Sequence, residues 1–213
     1  MDIHAHQQRD KEVFQFLVGI TGESDVVFLK GDKEEEKIPL RIQMIISFTL
    51  MDVLASYWYE YLGKNDSISA RSCSWYDHFC RTDRNTEYKK DPQWQILSSD
   101  RLYQFRNSLV HFMGMSEIRE NIYMGLVSND LPETERERMI KRLTAATHRT
   151  AIIRPNDFHK LIKQGGKIML EEWQKVIEQS HTNPEKKKDH IDGIERIYNK
   201  IQLEGAAAIY KPK

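Results

Sequence analysis

The hydrophobic positions of this chain recur mostly with the period of an α-helix. The longest apolar stretch runs from residue 39 to residue 62 and predicts one long helix. Pro39 suits its first turn, and Gly63 suits the position after its last turn. Because apolar side chains cover almost the whole circumference, this helix must be buried on more than one side. Its second side therefore needs either a further layer of the same chain or another subunit.

The most apolar part of this stretch, Ile42 to Leu62, is interrupted by Gln43, Asp52 and Glu60. A membrane-spanning helix needs about 20 predominantly apolar residues with few or no charges. The stretch therefore predicts a buried helix of a globular domain and no association with a membrane.

Shorter periodic segments predict the rest of the fold. Helices are expected over 9–20, 69–81, 98–114, 133–143, 155–179 and 185–204, and short strands over 122–127 and 150–153. The Gly165-Gly166 pair predicts an interruption or kink in the helix that begins at Pro155. The fold class is therefore mainly α, an up-and-down helical bundle with extra N- and C-terminal helices and a small two-stranded element. We divide it into an N-terminal extension (1–37), a core bundle (38–115) and a C-terminal extension packed on the same domain (116–213).

The segment from Arg101 to Met113 separates its polar and apolar residues onto two faces. At about 100° per residue, one apolar stripe is formed by Leu102, Phe105, Leu109, Phe112 and Met113. Asn107, Ser108 and His111 fall on the opposite face, where residues three or four apart are neighbours. Arg106 lies at the border, and its side chain is long enough to reach this polar cluster. An imidazole and a guanidinium on one rigid element predict a site that handles a phosphate.

The run Arg106-Asn-Ser-Leu-Val-His111 resembles the motif of the HEPN superfamily (higher eukaryotes and prokaryotes nucleotide-binding domains). In that motif an Arg, commonly followed by Asn, precedes a His by a few residues. The resemblance covers about residues 38–115, including the long apolar helix. It implies a helical bundle that dimerises and places two copies of the motif in one cleft. Many members are metal-independent endoribonucleases that act as toxins or in phage defence, whereas others have lost catalysis and only bind.

The same loose spacing occurs at three other places in this chain. These are the pairs Arg71…His78, Arg142…His148 and Arg154…His159. Only the run 106–111 combines Asn in second position, an apolar stripe on the opposite face and the long apolar helix before it. In the third pair, Pro155 also places a helix boundary inside the motif. Placement along the fold, rather than spacing, therefore favours the run 106–111.

The resemblance implies a role for each residue of the motif. His111 takes the proton from a ribose 2′-OH or protonates the leaving 5′-oxygen, because an imidazole titrates near neutrality. Arg106 binds the scissile phosphate and stabilises the charge developing on it. Asn107 orients either His111 or the phosphate. The product is a 2′,3′-cyclic phosphate, no metal or other cofactor is needed, and the expected partners are RNA, a second copy of the chain and an antitoxin or regulatory protein.

Two further residues are expected to support this site. Asp52 is a lone carboxylate on the apolar helix, and a buried charge is costly unless it is paired. We expect Asp52 to pair with Arg106 or with another Arg, in a structural ion pair before any direct role. Ser108 is a neighbour of His111 on the helix and is the second supporting candidate.

Structural roles are the competing interpretation of the motif. His111 is then a solvent-exposed histidine, and Arg106 is a surface partner of Asp100. The chain would in that case be a noncatalytic helical scaffold, or a regulator that binds RNA or a nucleotide. A zinc site is not expected, because the Cys-x4-His-x-Cys run that ends at Cys80 is not a standard ligand spacing.

Composition narrows these alternatives. The 213 residues carry 32 basic and 32 acidic side chains, so the formal net charge is zero. This balance argues against a large nonspecific nucleic-acid binder but is compatible with a local basic patch in a dimer cleft.

Cys73 and Cys80 would lie roughly 10.5 Å apart along one helix, too far for a disulfide. Together with a beginning that has no apolar secretory segment, this predicts a reduced, cytoplasmic protein.

Overall fold

The computed structural model describes residues 3–23, 38–111, 122–144, 149–180 and 183–209. Within these ranges the description covers the backbone but not the side chains of residues 3–6, 23, 110–111, 122–124, 143–144, 149–150, 180, 184 and 205–209. The described chain is mainly helical, which confirms the predicted class.

The elements follow the predicted order closely. The first part contains α1 (Ile3–Glu23), α2 (Leu40–Tyr61), α3 (Ile68–Trp75), a π-helical turn (Tyr76–Cys80), α4 (Thr86–Lys90), α5 (Gln93–Ile96) and α6 (Ser99–His111). The second part contains β1 (Ile122–Leu126), α7 (Glu133–Thr144), β2 (Arg149–Ile153), α8 (Pro155–Ser180) and α9 (Pro184–Ile209). The segment predicted as one helix over 69–81 is therefore an α-helix whose last turn widens to π geometry.

Local signals begin and end the helices at the predicted places. Gly63 has φ of 64°, the left-handed conformation that glycine supplies after a helix. Ser98 Oγ accepts the Arg101 N–H at 3.4 Å and caps α6. Asn183 Oδ1 accepts the Glu185 N–H at 3.0 Å and caps α9.

The small sheet confirms the predicted two-stranded element. β1 and β2 pair in parallel along their full length, with α7 as the crossover between them. Arg136 fixes α7 to the sheet, because its Nε donates to the Ile152 carbonyl at 2.9 Å. The same guanidinium forms an ion pair with Asp91, so this almost fully buried charge is neutralised.

α2 lies at the centre of the bundle. It packs against α1, α3, α6, α8 and α9. Its buried residues are Met44, Ser47, Phe48, Leu50, Met51, Leu54, Ala55, Tyr57 and Tyr59. Among the described helices it alone has the length and apolar composition of a membrane span, and its burial against five helices gives it the role of a core helix. Helices of the same chain therefore cover part of its apolar circumference, while Ile42 on α2 stays 43% exposed.

The hydrophobic core is continuous from α1 to α9. Its members outside the 38–115 region include Val13, Leu17, Phe158, Leu161, Ile162, Met169, Trp173, Ile194 and Ile197. The predicted boundaries at 37 and 115 stay predictions, but the two terminal regions contribute side chains to the same core as α2.

α8 corrects one prediction. It is continuous from Pro155 to Ser180, so the predicted interruption at the glycine pair is wrong. A Cβ on Gly165 would lie 2.6 Å from Cys80 Sγ, and a Cβ on Gly166 would lie 3.1 Å from Leu54 Cδ1. The two glycines therefore serve close packing of α8 against the π-helical turn and α2, with no break in the helix.

Candidate functional site

The candidate site is built on α6, which presents its apolar stripe to the core as predicted. Leu102, Phe105 and Leu109 are each at most 2% exposed. Phe112 and Met113, the other predicted members of the stripe, lie outside the described residues. This packing fixes the rotation of α6 and directs Arg106 toward α2.

Arg106 is held by two oxygen acceptors. Its Nη2 lies 2.9 Å from Asp52 Oδ2, and its Nη1 donates to Asn107 Oδ1 at 3.2 Å. The guanidinium carbon lies 5.5 Å from the centre of the Tyr103 ring. The Nε–H is buried and has no hydrogen-bond partner among the described residues. The pairing with Asp52 confirms the expectation drawn from the cost of a buried carboxylate, and it replaces the alternative pairing with Asp100.

Asp52 joins three helices through one carboxylate. Its Oδ1 accepts from Ser72 Oγ of α3 at 2.6 Å, while its Oδ2 faces Arg106 of α6. The Asp52 side chain is 14% exposed and that of Arg106 is 21% exposed. The charge is therefore compensated at both oxygens, which is what a half-buried carboxylate on an apolar helix requires.

A cleft of about 260 Å³ opens beside this ion pair. It is lined by Thr49, Asp52, Val53, Ser56, Tyr57, Ile68, Arg71, Arg106 and Glu204. These residues come from α2, α3, α6 and α9, so the cleft lies where four helices meet. Two arginines and the Ser56 hydroxyl on one concave surface provide donors for an oxyanion, because the Thr49 and Tyr57 hydroxyl groups already donate to the Ile45 carbonyl and to Glu204.

Tyr103 reports how the charged groups are arranged around the cleft. Burial raises the pKa of Tyr103 above its ordinary value. The Arg106 and Arg71 guanidinium groups act to lower that pKa, and the Asp52 carboxylate acts to raise it. Both arginines and the carboxylate thus influence the pKa of the same phenol, which agrees with their position around one cleft.

Arg71 is the residue that the sequence analysis missed. It belongs to one of the discarded Arg…His pairs, yet its side chain lines the same cleft as Arg106. Its former partner in the motif, His78, lies elsewhere, stacked on Trp58 at 5.3 Å between ring centres. In the sequence, Arg71 was therefore marked only by its match to the loose Arg…His spacing. In the structure, Arg71 and His78 do not form a common site.

Asn107 and Ser108 differ in their exposure and in their hydrogen-bond partners. Asn107 is half-buried and accepts from Arg106. The placement of Ser108 on the polar face is wrong, because its side chain is only 7% exposed and its Oγ donates to the Gln104 carbonyl at 3.1 Å. Ser108 lies only about 60° around the helix from Phe105, so it is carried toward the core.

His111 is the last residue of α6, and its side chain lies outside the described residues. Its role as a proton-transfer group therefore stays a prediction. The backbone places it about 7.5 Å along the helix axis and about 140° around it from Arg106.

The third Arg…His pair is structural. Arg154 forms ion pairs with Glu133 and Asp157. His159 is 2% exposed, and its Nδ1 lies 3.2 Å from Ser47 Oγ in the core. In the second pair, Arg142 is exposed and His148 lies outside the described residues.

Both cysteines are free thiols of low expected reactivity. Burial raises the pKa of the Cys73 thiol to about 12 and raises that of Cys80 as well. Protonated thiols are poor nucleophiles and poor metal ligands. Over the described ranges, no group of three or more His, Cys, Asp or Glu side chains is arranged to hold a metal ion.

Comparisons with known proteins do not identify a family for this chain. No family model, no curated protein and no solved structure matches this chain. The HEPN resemblance of residues 38–115 stays a prediction.

Proposed function

We propose that this protein is a metal-independent endoribonuclease of the HEPN type that acts as a dimer. The observation that carries the proposal is the position of Arg106, which lines an open cleft while Asp52 and Asn107 hold its guanidinium in place. A fixed guanidinium beside a cleft is suited to binding a phosphate and to stabilising negative charge that develops on it.

The proposal assigns proton transfer to His111. It removes the proton from the ribose 2′-OH as that oxygen attacks the phosphorus, or it protonates the 5′-oxygen as the P–O bond to it breaks. The products are a 2′,3′-cyclic phosphate and a 5′-hydroxyl.

A second subunit completes this site in the proposal. Positions 106 and 111 lie about 140° apart around α6, so the proposal places the two groups of one site on the facing α6 helices of two subunits. A two-fold dimer in which α6 helices face each other brings Arg106 of one subunit near the partner subunit's His111.

Cleavage of a single-stranded RNA in the presence of EDTA tests the proposal. We expect cleavage to persist in EDTA, and we expect His111→Ala and Arg106→Ala to lower the rate by about 10²-fold or more. The matched control is Arg138→Ala, because Arg138 is an exposed arginine on α7, an element that does not line the cleft. The RNA ends are identified by mass spectrometry, with a 2′,3′-cyclic phosphate expected.

Three results would contradict it. These are cleavage that EDTA abolishes, cleavage that His111→Ala leaves unchanged, and products with a 3′-hydroxyl. Because Arg106→Ala leaves Asp52 unpaired, Arg106→Lys is measured beside it. Lys keeps a positive charge near Asp52 but lacks the planar fork, so we expect a folded protein with reduced activity.

A toxin or defence role extends the proposal to the cell. Expression of the wild-type chain should then slow the growth of its host, and expression of His111→Ala should not.

A noncatalytic helical scaffold that binds RNA, a nucleotide or another protein is the second candidate. The Asp52–Arg106–Ser72 contact favours a noncatalytic role of Arg106, because a half-buried ion pair that joins α2, α3 and α6 serves the fold whether or not catalysis occurs. RNA binding without cleavage under all metal conditions would select this candidate.

A further inference from the structure

The cleft contains a second arginine that has no compensating carboxylate. Arg71 on α3 is half-buried, and its Nε–H is buried without a hydrogen-bond partner among the described residues. No described carboxylate lies within ion-pair distance of its guanidinium, in contrast to that of Arg106. A half-buried guanidinium without a counter-charge is costly, and an anionic ligand in the cleft offsets that cost.

The two carboxylates that line the cleft already have other partners. Asp52 accepts from Ser72 and Arg106, as described above. Glu204 accepts from Tyr57 Oη at 2.6 Å. Both are therefore engaged with donors other than Arg71.

The lysine next to the cleft is engaged as well. Lys200 Nζ donates to Ser56 Oγ at 2.7 Å and lies 3.6 Å from Glu60 Oε2. Arg71 is thus the charged group lining the cleft that has no ion-pair partner within the described part of the chain.

Arg106 places a second guanidinium beside the same cleft, and it shares its charge with Asp52. The two guanidinium groups come from different helices, so together they present donors from two sides of the cleft. A phosphate group has oxygen acceptors on all sides and fits such an arrangement better than a single carboxylate does.

We propose that this cleft is a phosphate-binding subsite in which Arg71 and Arg106 together bind one phosphate of an RNA backbone. The identity of the ligand as RNA rests on the proposed function, whereas phosphate binding rests on the cleft itself. A volume of about 260 Å³ is below the usual range for sites that enclose a small molecule. The subsite therefore takes a phosphate and part of its sugar, and the rest of the strand lies outside it. Arg71 acts here as a substrate-binding residue.

The first arm of the test uses inorganic phosphate and the arginine Nε–H signals of the wild-type protein in ¹H–¹⁵N NMR spectra. We expect phosphate to shift the signals of Arg71 and Arg106 together. The signal of Arg138, which is exposed on α7, is the internal control and should not move. Absence of a shift at Arg71 would overturn the proposal.

The second arm measures the affinity of a 2′-O-methyl RNA, which cannot be cleaved through the 2′-oxygen. We expect Arg71→Gln to weaken binding about tenfold and to lower the slope of log K against log salt by about 0.7, the value for one phosphate contact on a single strand. Arg138→Gln is the matched control and should leave both unchanged. Arg71→Lys keeps the charge without the fork, so it should fall between wild type and Arg71→Gln and covers the case in which Arg71→Gln does not fold.

The outcomes separate this inference from the proposed function. RNA that binds through Arg71 but is not cleaved contradicts the ribonuclease proposal and supports the subsite. Cleavage that requires His111 and Arg106, with RNA affinity independent of Arg71, overturns the subsite. A phosphate shift at Arg71 with no effect of Arg71→Gln on RNA affinity assigns the cleft to a small phosphate compound and overturns the RNA assignment.

Discussion

Asp52 is the residue through which the helices around the cleft are joined. Its carboxylate accepts from Ser72 of α3 and from Arg106 of α6, while its own backbone belongs to α2. Each contact is half-buried, so removing the negative charge leaves Arg106 as an uncompensated charge away from bulk water. At the residue scale the account therefore makes Asp52 a support of both the fold and the cleft.

Asp52→Asn should lower the free energy of unfolding by about 2 kcal/mol, because it breaks a partly buried ion pair from one side. The measurement is urea denaturation followed by circular dichroism. Asp83→Asn is the matched control, since the Asp83 side chain is 97% exposed and its change should stay within about 0.5 kcal/mol. Equal effects of the two substitutions would show that the Asp52 contact contributes nothing beyond a surface pair.

At the scale of elements, close helix packing explains why α8 tolerates two adjacent glycines. Gly165 faces Cys80 and Trp75, and Gly166 faces Leu54 and Thr21. A glycine in a helix is usually unfavourable by about 0.5–1 kcal/mol relative to alanine, and here the close approach of α8 to its neighbours offsets that cost. A sequence pattern shows that glycines are present, but it does not show whether a helix breaks at them or packs closely through them.

Gly165→Ala and Gly19→Ala should have opposite effects on stability. At Gly165 the added methyl group meets Cys80 Sγ at 2.6 Å, and we expect a loss of about 1–3 kcal/mol. At Gly19 on α1 no described atom lies within 4 Å of an added Cβ, so the higher helix propensity of alanine should raise stability by about 0.5–1 kcal/mol. Thermal unfolding of the two variants measures both effects, and a stabilised Gly165→Ala would show that α8 does not approach the π-helical turn as closely as described.

At the scale of the whole molecule, the sequence predicted elements better than their arrangement. Gly63 marked the end of α2 because the left-handed conformation after a helix is a local property. The pairing of Asp52 with an arginine, here Arg106, could be predicted from the sequence because the cost of an unpaired buried carboxylate is independent of topology. The place of Arg71 in the cleft could not be predicted, since it depends on how α3 packs against α2.

The way in which α2 is buried bears directly on whether the protein forms a dimer. The sequence left open whether a further layer or a second subunit covers the apolar circumference of this helix, and α1, α8 and α9 of the same chain cover part of it, while Ile42 stays 43% exposed. The dimer is therefore proposed from α6, on which positions 106 and 111 lie about 140° apart around the helix axis.

Mixing two inactive variants tests the central claim most directly, because it asks for RNA cleavage, for both motif residues and for a composite site at once. Arg106→Ala and His111→Ala subunits are combined in equal amounts under conditions of subunit exchange, and RNA cleavage is measured in EDTA. Random exchange makes half of the dimers mixed, and each mixed dimer holds one complete site that combines Arg106 of one subunit with the partner subunit's His111. The account predicts recovery of about a quarter of the wild-type rate, whereas a rate no higher than that of the two variants measured separately would contradict it.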